Sequence, residues 1–257
     1  MAITIKSERE IELMAEAGKI LERVHNELEK ALHPGMSTKD IDTLGEKIIR
    51  SYGCIPSFLN YNGYPASICV SVNQEVVHGI PDKHRIIHEG DIVSLDAGVI
   101  YKGYHSDAAR THAVGEVSEE AKKLIQVTKE SFFEGIKFAK AGNHLFDISG
   151  AIGRYAEERG YGVVRDLCGH GIGTALHEDP QIPNYAQKRR GVRLQAGMTL
   201  AIEPMINAGT HRVRPMSDGW LVCTRDGKPS VHFEKTVAIT EEGPLILTTE
   251  PDHERPL

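Results

Sequence analysis

The sequence carries one pattern that narrows its possible folds more than any other. It repeats itself at a fixed distance. "PGMSTKDIDTLGEKIIRSYG" contains Gly35, Asp40, Ile41 and Gly53, and "AGNHLFDISGAIGRYAEERG" contains Gly142, Asp147, Ile148 and Gly160. Each pair differs by 107 (142 − 35, 147 − 40, 148 − 41, 160 − 53). The offset returns downstream, where "EGDIVSLDAG" sets Gly90 before Asp96 and "AGMTLAIEPM" sets Gly197 before Glu203 (197 − 90 and 203 − 96 are again 107). A constant offset over such a span predicts two halves of like structure, about 5–117 and 118–248, within one domain spanning 1–257. Halves packed about a twofold axis bring equivalent positions together, so Asp96 and Glu203 are expected to be neighbours.

Local signals give each half the same order, two helices and then strands. Ser7 and Glu10 form a capping box, followed by Ile11, Met14, Leu21, Val24 and Leu28 at helical spacing. That helix should end near Pro34-Gly35, and a second should run from Thr38 to about Tyr52, stopped at Gly53. Strands and turns are expected over 55–117. Further helices should run from Ser118 to about Lys140 and from Leu145 to about Arg159, with strands after Gly162. The chain is therefore α/β, with 257 residues, 40% hydrophobic and 26% charged, well able to bury a core.

Composition also excludes. The net charge is −6 with no long basic block, which gives no support for specific nucleic-acid binding. There is no apolar signal core and no run of about 18 apolar residues, so the reading is a cytoplasmic protein with no membrane span. Cys54, Cys69, Cys168 and Cys223 are far apart, which argues against a thiolate zinc site or a disulfide framework.

The stretch "DAGVIYKGYHSD" reads as a hairpin with an acid at each end. A turn at Tyr101-Lys102 would set Asp96 directly opposite Asp107, a repulsive pair unless a cation lies between them. Glu203 joins from the equivalent strand. Glu234, in "HFEKTVAIT", takes the place of Asp107 in the second half, and His170, in "CGHGIG", can approach closely between glycines. One His and four carboxylates suit a hard or borderline divalent ion (Mn, Fe(II), Co or Zn), and the number of acids suggests two. Each residue also has a plainer reading; Asp107, for instance, is placed to pair with Arg110.

Taken together, "NYNGYPASICVSVNQEVVHGIPD", "DAGVIYKGYHSDAART", "GHGIGTALHEDPQIPNY", "AIEPM" and "HFEKTVAIT" resemble type I methionine aminopeptidases, from about residue 5 to residue 248. The resemblance implies the pita-bread fold, a curved antiparallel sheet with helices on its outer face. It implies a dinuclear site on Asp96, Asp107, His170, Glu203 and Glu234, bridged by Asp107 and Glu234, with Glu203 also carrying protons. His177 would stabilise the oxyanion, and His78 would line the site near the second substrate residue and assist substrate positioning or proton transfer. The methionine pocket would comprise Tyr61, Tyr64, Cys69 and Trp220 beside Phe58 and Leu176. The implied activity is removal of the N-terminal Met from nascent chains, preferring a small second residue, a task compatible with transient ribosome association; a monomer is expected because the symmetric pairing is already internal. The chain departs from the pattern at Asn62, where some members have His, and at Leu176, where an aromatic is usual; both are expected in the pocket. The zinc-binding N-terminal extension of eukaryotic type I enzymes and the helical insertion of type II are expected to be absent. A proline-specific enzyme on the same fold and a metal-free binding module are the competing readings.

Overall fold

The computed structural model describes residues 3–249; the outermost residues of the domain expected over 1–257 lie outside them. Helix α1 (Glu8–Ala31) starts at the Ser7–Glu10 capping box and buries Met14, Ala17, Leu21, Val24 and Leu28 along one stripe. Helix α2 (Thr38–Ser51) has its own box, in which Ser37 and Asp40 satisfy each other's backbone N–H groups. Then come β1 (Ile55–Pro56), β2 (Ile68–Val72), β3 (Glu75–Val77), β4 (Ile92–Tyr101) and β5 (Tyr104–Ala113). Helices α3 (Glu119–Ile136) and α4 (Leu145–Glu157) follow, each ending a few residues before its expected limit.

The remaining strands are short: β6 (Gly162–Val163), β7 (Gly169–Gly171), β8 (Glu178–Ile182), β9 (Thr199–Ile202) and β10 (Met205–Asn207). After them come β11 (Val213–Pro215), β12 (Val222–Thr224), β13 (Ser230–His232), β14 (Glu234–Ile239) and β15 (Pro244–Ile246). The main sheet runs β1-β4-β5-β14-β9-β7-β8, with β2 also on β4 and β15 also on β14. The strand pairings are antiparallel. Helices α1 and α2 cover the first strands through Leu21, Leu28, Ile48, Ile68 and Leu95. Helices α3 and α4 cover the later ones through Phe132, Ile148, Ile152, Leu200 and Val237. Among the described residues, no helix is long and apolar enough to cross a membrane.

The spacing of 107 reappears in three dimensions. Isolated bridges join Ser37 to Ile86 and His144 to Arg193, and both members differ by 107 (144 − 37, 193 − 86). The Gly35 N–H donates to Ile87 O and the Gly142 N–H to Leu194 O, both at 2.9 Å. Gly35 and Gly142 have φ of 95° and 92°, a region that side chains rarely enter.

The hairpin corrects one expectation. Its two-residue loop is Lys102-Gly103, with φ of 49° and 87°, because a turn with two positive φ values favours glycine at one of them. Tyr101 therefore pairs with Tyr104, and Asp107 faces Gly98 while Asp96 faces Ala109. The register slips by two residues, which preserves the face. Asp96 and Asp107 are diagonal neighbours on one face, not a directly opposed pair. The neighbouring Arg110 falls on the other face, where its guanidinium meets Glu22 of α1.

Candidate metal centre and active site

The two central strands, β5 and β14, are in register over only two pairs, Ala109 with Glu234 and Ala108 with Lys235. Beyond them the backbones splay, and a threonine closes the gap at each end. The Thr236 hydroxyl donates to Asp107 O (2.8 Å) and accepts from the Asp107 N–H (3.0 Å). The Thr111 hydroxyl donates to His232 O (2.9 Å) and accepts from the His232 N–H (3.1 Å). These bonds define a local twofold axis through the Ala109–Glu234 pair: 232 − 107, 234 − 109 and 236 − 111 are all 125. The residue equivalent to Asp107 is therefore His232, and Glu234 is equivalent to Ala109. The offset is 125 here rather than 107 because the second hairpin is longer, and this overturns the matching of Glu234 with Asp107.

Around this axis the acids converge. Asp107, His170 and Glu234 offer ligand atoms all within 4.8 Å of one another, and so do Glu203, His232 and Glu234. Glu234 belongs to both groups. His170 Nε2 is 3.7 Å from Asp107 Oδ2 and 3.7 Å from Glu203 Oε1. Its Nδ1 lies 2.8 Å from Gly171 O. A carbonyl only accepts, so the ring proton sits on Nδ1 and Nε2 keeps its lone pair toward the acids. Asp96 lies outside both groups but is close enough for Asp107 and Glu203 to raise its pKa.

The donor set fits divalent cations. Asp96 Oδ1, Asp107 Oδ1, Glu234 Oε1 and His232 Nε2 are buried without hydrogen-bond partners. Burial pushes the Asp107 carboxyl up from 3.8 to about 8. Asp96, Glu203 and Glu234 are also driven well up, first by burial and then by the charge of Asp107, with Glu203 adding to the rise at Asp96 and at Glu234. Unpaired buried carboxylates are costly, and cations remove that cost. Burial lowers His170 and His232 to about 3, so both are neutral, and His170 Nε2 is free to ligate.

The ring of His177, just before β8, lies 4.1 Å between centroids from that of His170 at a tilt of 50°, and its Nδ1 is 2.9 Å from the Tyr61 hydroxyl. His78 holds φ of 60°, and its ring meets the Trp220 edge at 6.3 Å. Its charge would depress the pKa of both His177 and His232, so it faces the same space. The six expected pocket residues share one apolar cluster: Phe58, Tyr64, Cys69 and Leu176 are buried, with Tyr61 and Trp220 packed against them. Tyr64 and Trp220 meet edge to face at 5.1 Å. Of the two departures, Leu176 lies in this cluster. Asn62 does not; it is exposed in a tight turn with φ of 49°, a conformation asparagine tolerates. His232 is the residue that sequence reasoning missed. Its signal was present: two residues before Glu234 on an extended segment, it shares that residue's face.

The model of metallopeptidase family M24 matches residues 12–241. The chain belongs to this family. It is 57% identical to a methionine aminopeptidase of Clostridium acetobutylicum over 246 residues, 96% of this chain and 98% of that protein. A methionine aminopeptidase of Bacillus subtilis is 51% identical over the same share of this chain and 99% of its own. The crystal structure of methionine aminopeptidase from Thermotoga maritima superposes with a TM-score of 0.94 at 47% identity, covering 97% of this chain and all of that one. An Xaa-Pro dipeptidase from Bacillus anthracis shares the fold (TM-score 0.76, 28% identity), but the match covers only 62% of its length. The curved sheet with outer helices is thus the pita-bread arrangement common to these M24 enzymes.

Proposed function

We infer that the protein removes the N-terminal methionine from polypeptides in a metal-dependent hydrolysis, acting best when the second residue is small. The observation that carries this reading is an adjacency. A cluster of buried, unpaired carboxylates lies beside a pocket of Phe58, Tyr64, Cys69, Leu176 and Trp220, and Tyr61 belongs to the pocket while touching His177. An apolar, polarizable lining suits a thioether.

In this reading Asp96, Asp107, His170, Glu203 and Glu234 would hold two divalent ions, with Asp107 and Glu234 serving both. Once bound, the ions supply Lewis acidity and an activated water near neutral pH. The chain's own groups do the rest. The pocket seats the Met side chain and fixes the scissile bond. The Tyr61 hydroxyl lies 2.9 Å from His177 Nδ1; in this reading its O–H donates there, which leaves the proton on Nε2 to donate to the carbonyl oxygen as charge builds there. Glu203 accepts the proton of the attacking water and delivers it to the departing amine. His78 bounds the space for the second residue.

The proposal extends to one catalytic domain of two related halves, acting as a cytoplasmic monomer on nascent chains during transient contact with ribosomes. The metal is cobalt, manganese, iron(II) or zinc. The test is release of free Met from Met-Ala-Ser and Met-Lys-Ser by EDTA-stripped protein reloaded with Mn or Co, with Ala-Pro-Ala alongside. Metal-restored release from Met-Ala-Ser is expected, with little from Met-Lys-Ser. Cleavage of Ala-Pro-Ala alone would move the protein to the proline-specific branch.

A further inference from the structure

We propose that His232 is a positioning residue that holds the free oxygen of the Glu203 carboxylate through an Nε2–H donor. His232 occupies the place of Asp107 under the local twofold, so its side chain points into the same space by the same backbone geometry. It is 1% exposed, and its Nε2 is buried with no hydrogen-bond partner. That nitrogen lies 3.4 Å from Glu203 Oε2 and 3.8 Å from Glu234 Oε2. The other oxygen of Glu203, Oε1, faces His170 Nε2 at 3.7 Å.

The Glu203 carboxylate thus spans two imidazoles of opposite tautomer. On the His170 side, the proton is fixed away on Nδ1 by Gly171 O, so Oε1 and that lone pair converge as ligands do. On the His232 side, a lone pair aimed at a carboxylate oxygen would repel it. An N–H there closes to a hydrogen bond with a shift of a few tenths of an ångström, which satisfies the orphan Nε2. The consequence is functional: Glu203 keeps one oxygen for the ion and has the other in a fixed direction for proton transfer. This inference rests on the proposed role of Glu203.

The test uses wild-type protein, His232→Leu and His232→Gln, with folding checked by circular dichroism. Each is titrated with Mn(II) by calorimetry and assayed on Met-Ala-Ser. His232→Leu should keep the Mn(II) stoichiometry and lose about 10–100-fold in kcat, the usual scale for such supporting contacts. KM should hold within about twofold, the mark of an interaction made in the transition state. His232→Gln, whose amide still donates, should recover most of the loss. In Zn-loaded wild-type protein, ¹H–¹⁵N spectra should show His232 protonated at Nε2, a readout that needs no variant. Three results would overturn the proposal: wild-type kcat in His232→Leu, loss of one Mn(II) in both variants (making His232 a ligand), or an unprotonated Nε2. If wild-type protein released no Met, the activity would be wrong, while calorimetry and the spectrum would still decide the His232–Glu203 contact.

Discussion

Replacing Thr236 with valine tests how the fold supports the acids. The two side chains are nearly isosteric, and Thr236 is fully buried, so packing is preserved and only the hydroxyl is lost. In the native chain that hydroxyl satisfies both backbone groups of Asp107 where β5 and β14 splay apart. Without it, the buried Asp107 N–H has no partner, which costs about 1–3 kcal/mol. The lost O–H···O bond adds roughly 1 kcal/mol, and the extra buried methyl returns about 0.8 kcal/mol. The net expectation is a loss of about 2 kcal/mol, or about 4–8 °C in Tm for a chain of this length. Urea unfolding of the metal-free protein measures it, with the m-value unchanged if the folded and unfolded states stay equally compact. Mn(II) affinity should fall too, because Asp107 loses its backbone support. A loss below about 0.5 kcal/mol, within the range of an indifferent substitution, would refute the assignment of this hydroxyl as the tie between the central strands.

The metal-free protein should lose stability as pH rises from 7 to about 8.5. Asp107 is raised from 3.8 to about 8, so its contribution is full below the unfolded value and disappears as pH climbs through the folded one. His25, His170 and His232, lowered by burial from 6.5 to about 3, act in the opposite sense, but that gain is complete by neutrality. Thermal melts in EDTA and in Mn(II) check this: a flat or rising profile without metal would refute it, and metal should abolish the decline. Tyr61→Phe should lower kcat about tenfold with the fold intact, by freeing the His177 ring; a raised KM with unchanged kcat would leave Tyr61 as a pocket wall only. Lys235→Met should cost about 3 kcal/mol in urea, because the fully buried ammonium holds both Glu22 Oε2 and Thr248 O at 2.8 Å. A loss under about 1 kcal/mol would mean that Arg110 alone suffices to neutralise Glu22.

The sequence by itself determined what depends on local chemistry and on spacing. Ser7, Ser37 and Ser118 mark helix starts because a side-chain oxygen there satisfies an otherwise orphan N–H. The spacing of 107 predicted two halves of like structure, and the bridges Ser37–Ile86 and His144–Arg193 stand at that spacing because equal segments fold alike. Strand register was less legible. The choice between Tyr101-Lys102 and Lys102-Gly103 as the turn hung on which residue takes a positive φ, and the alternation of faces survived the slip. What only the tertiary structure decided was which residues meet across the axis. A longer second hairpin changes the offset from 107 to 125, and no local signal records where a strand pair stops being in register. That crossing, tied at each end by Thr111 and Thr236, brings His232 beside Glu203, because the partner of a side chain in a sheet is chosen by chain segments far away in sequence.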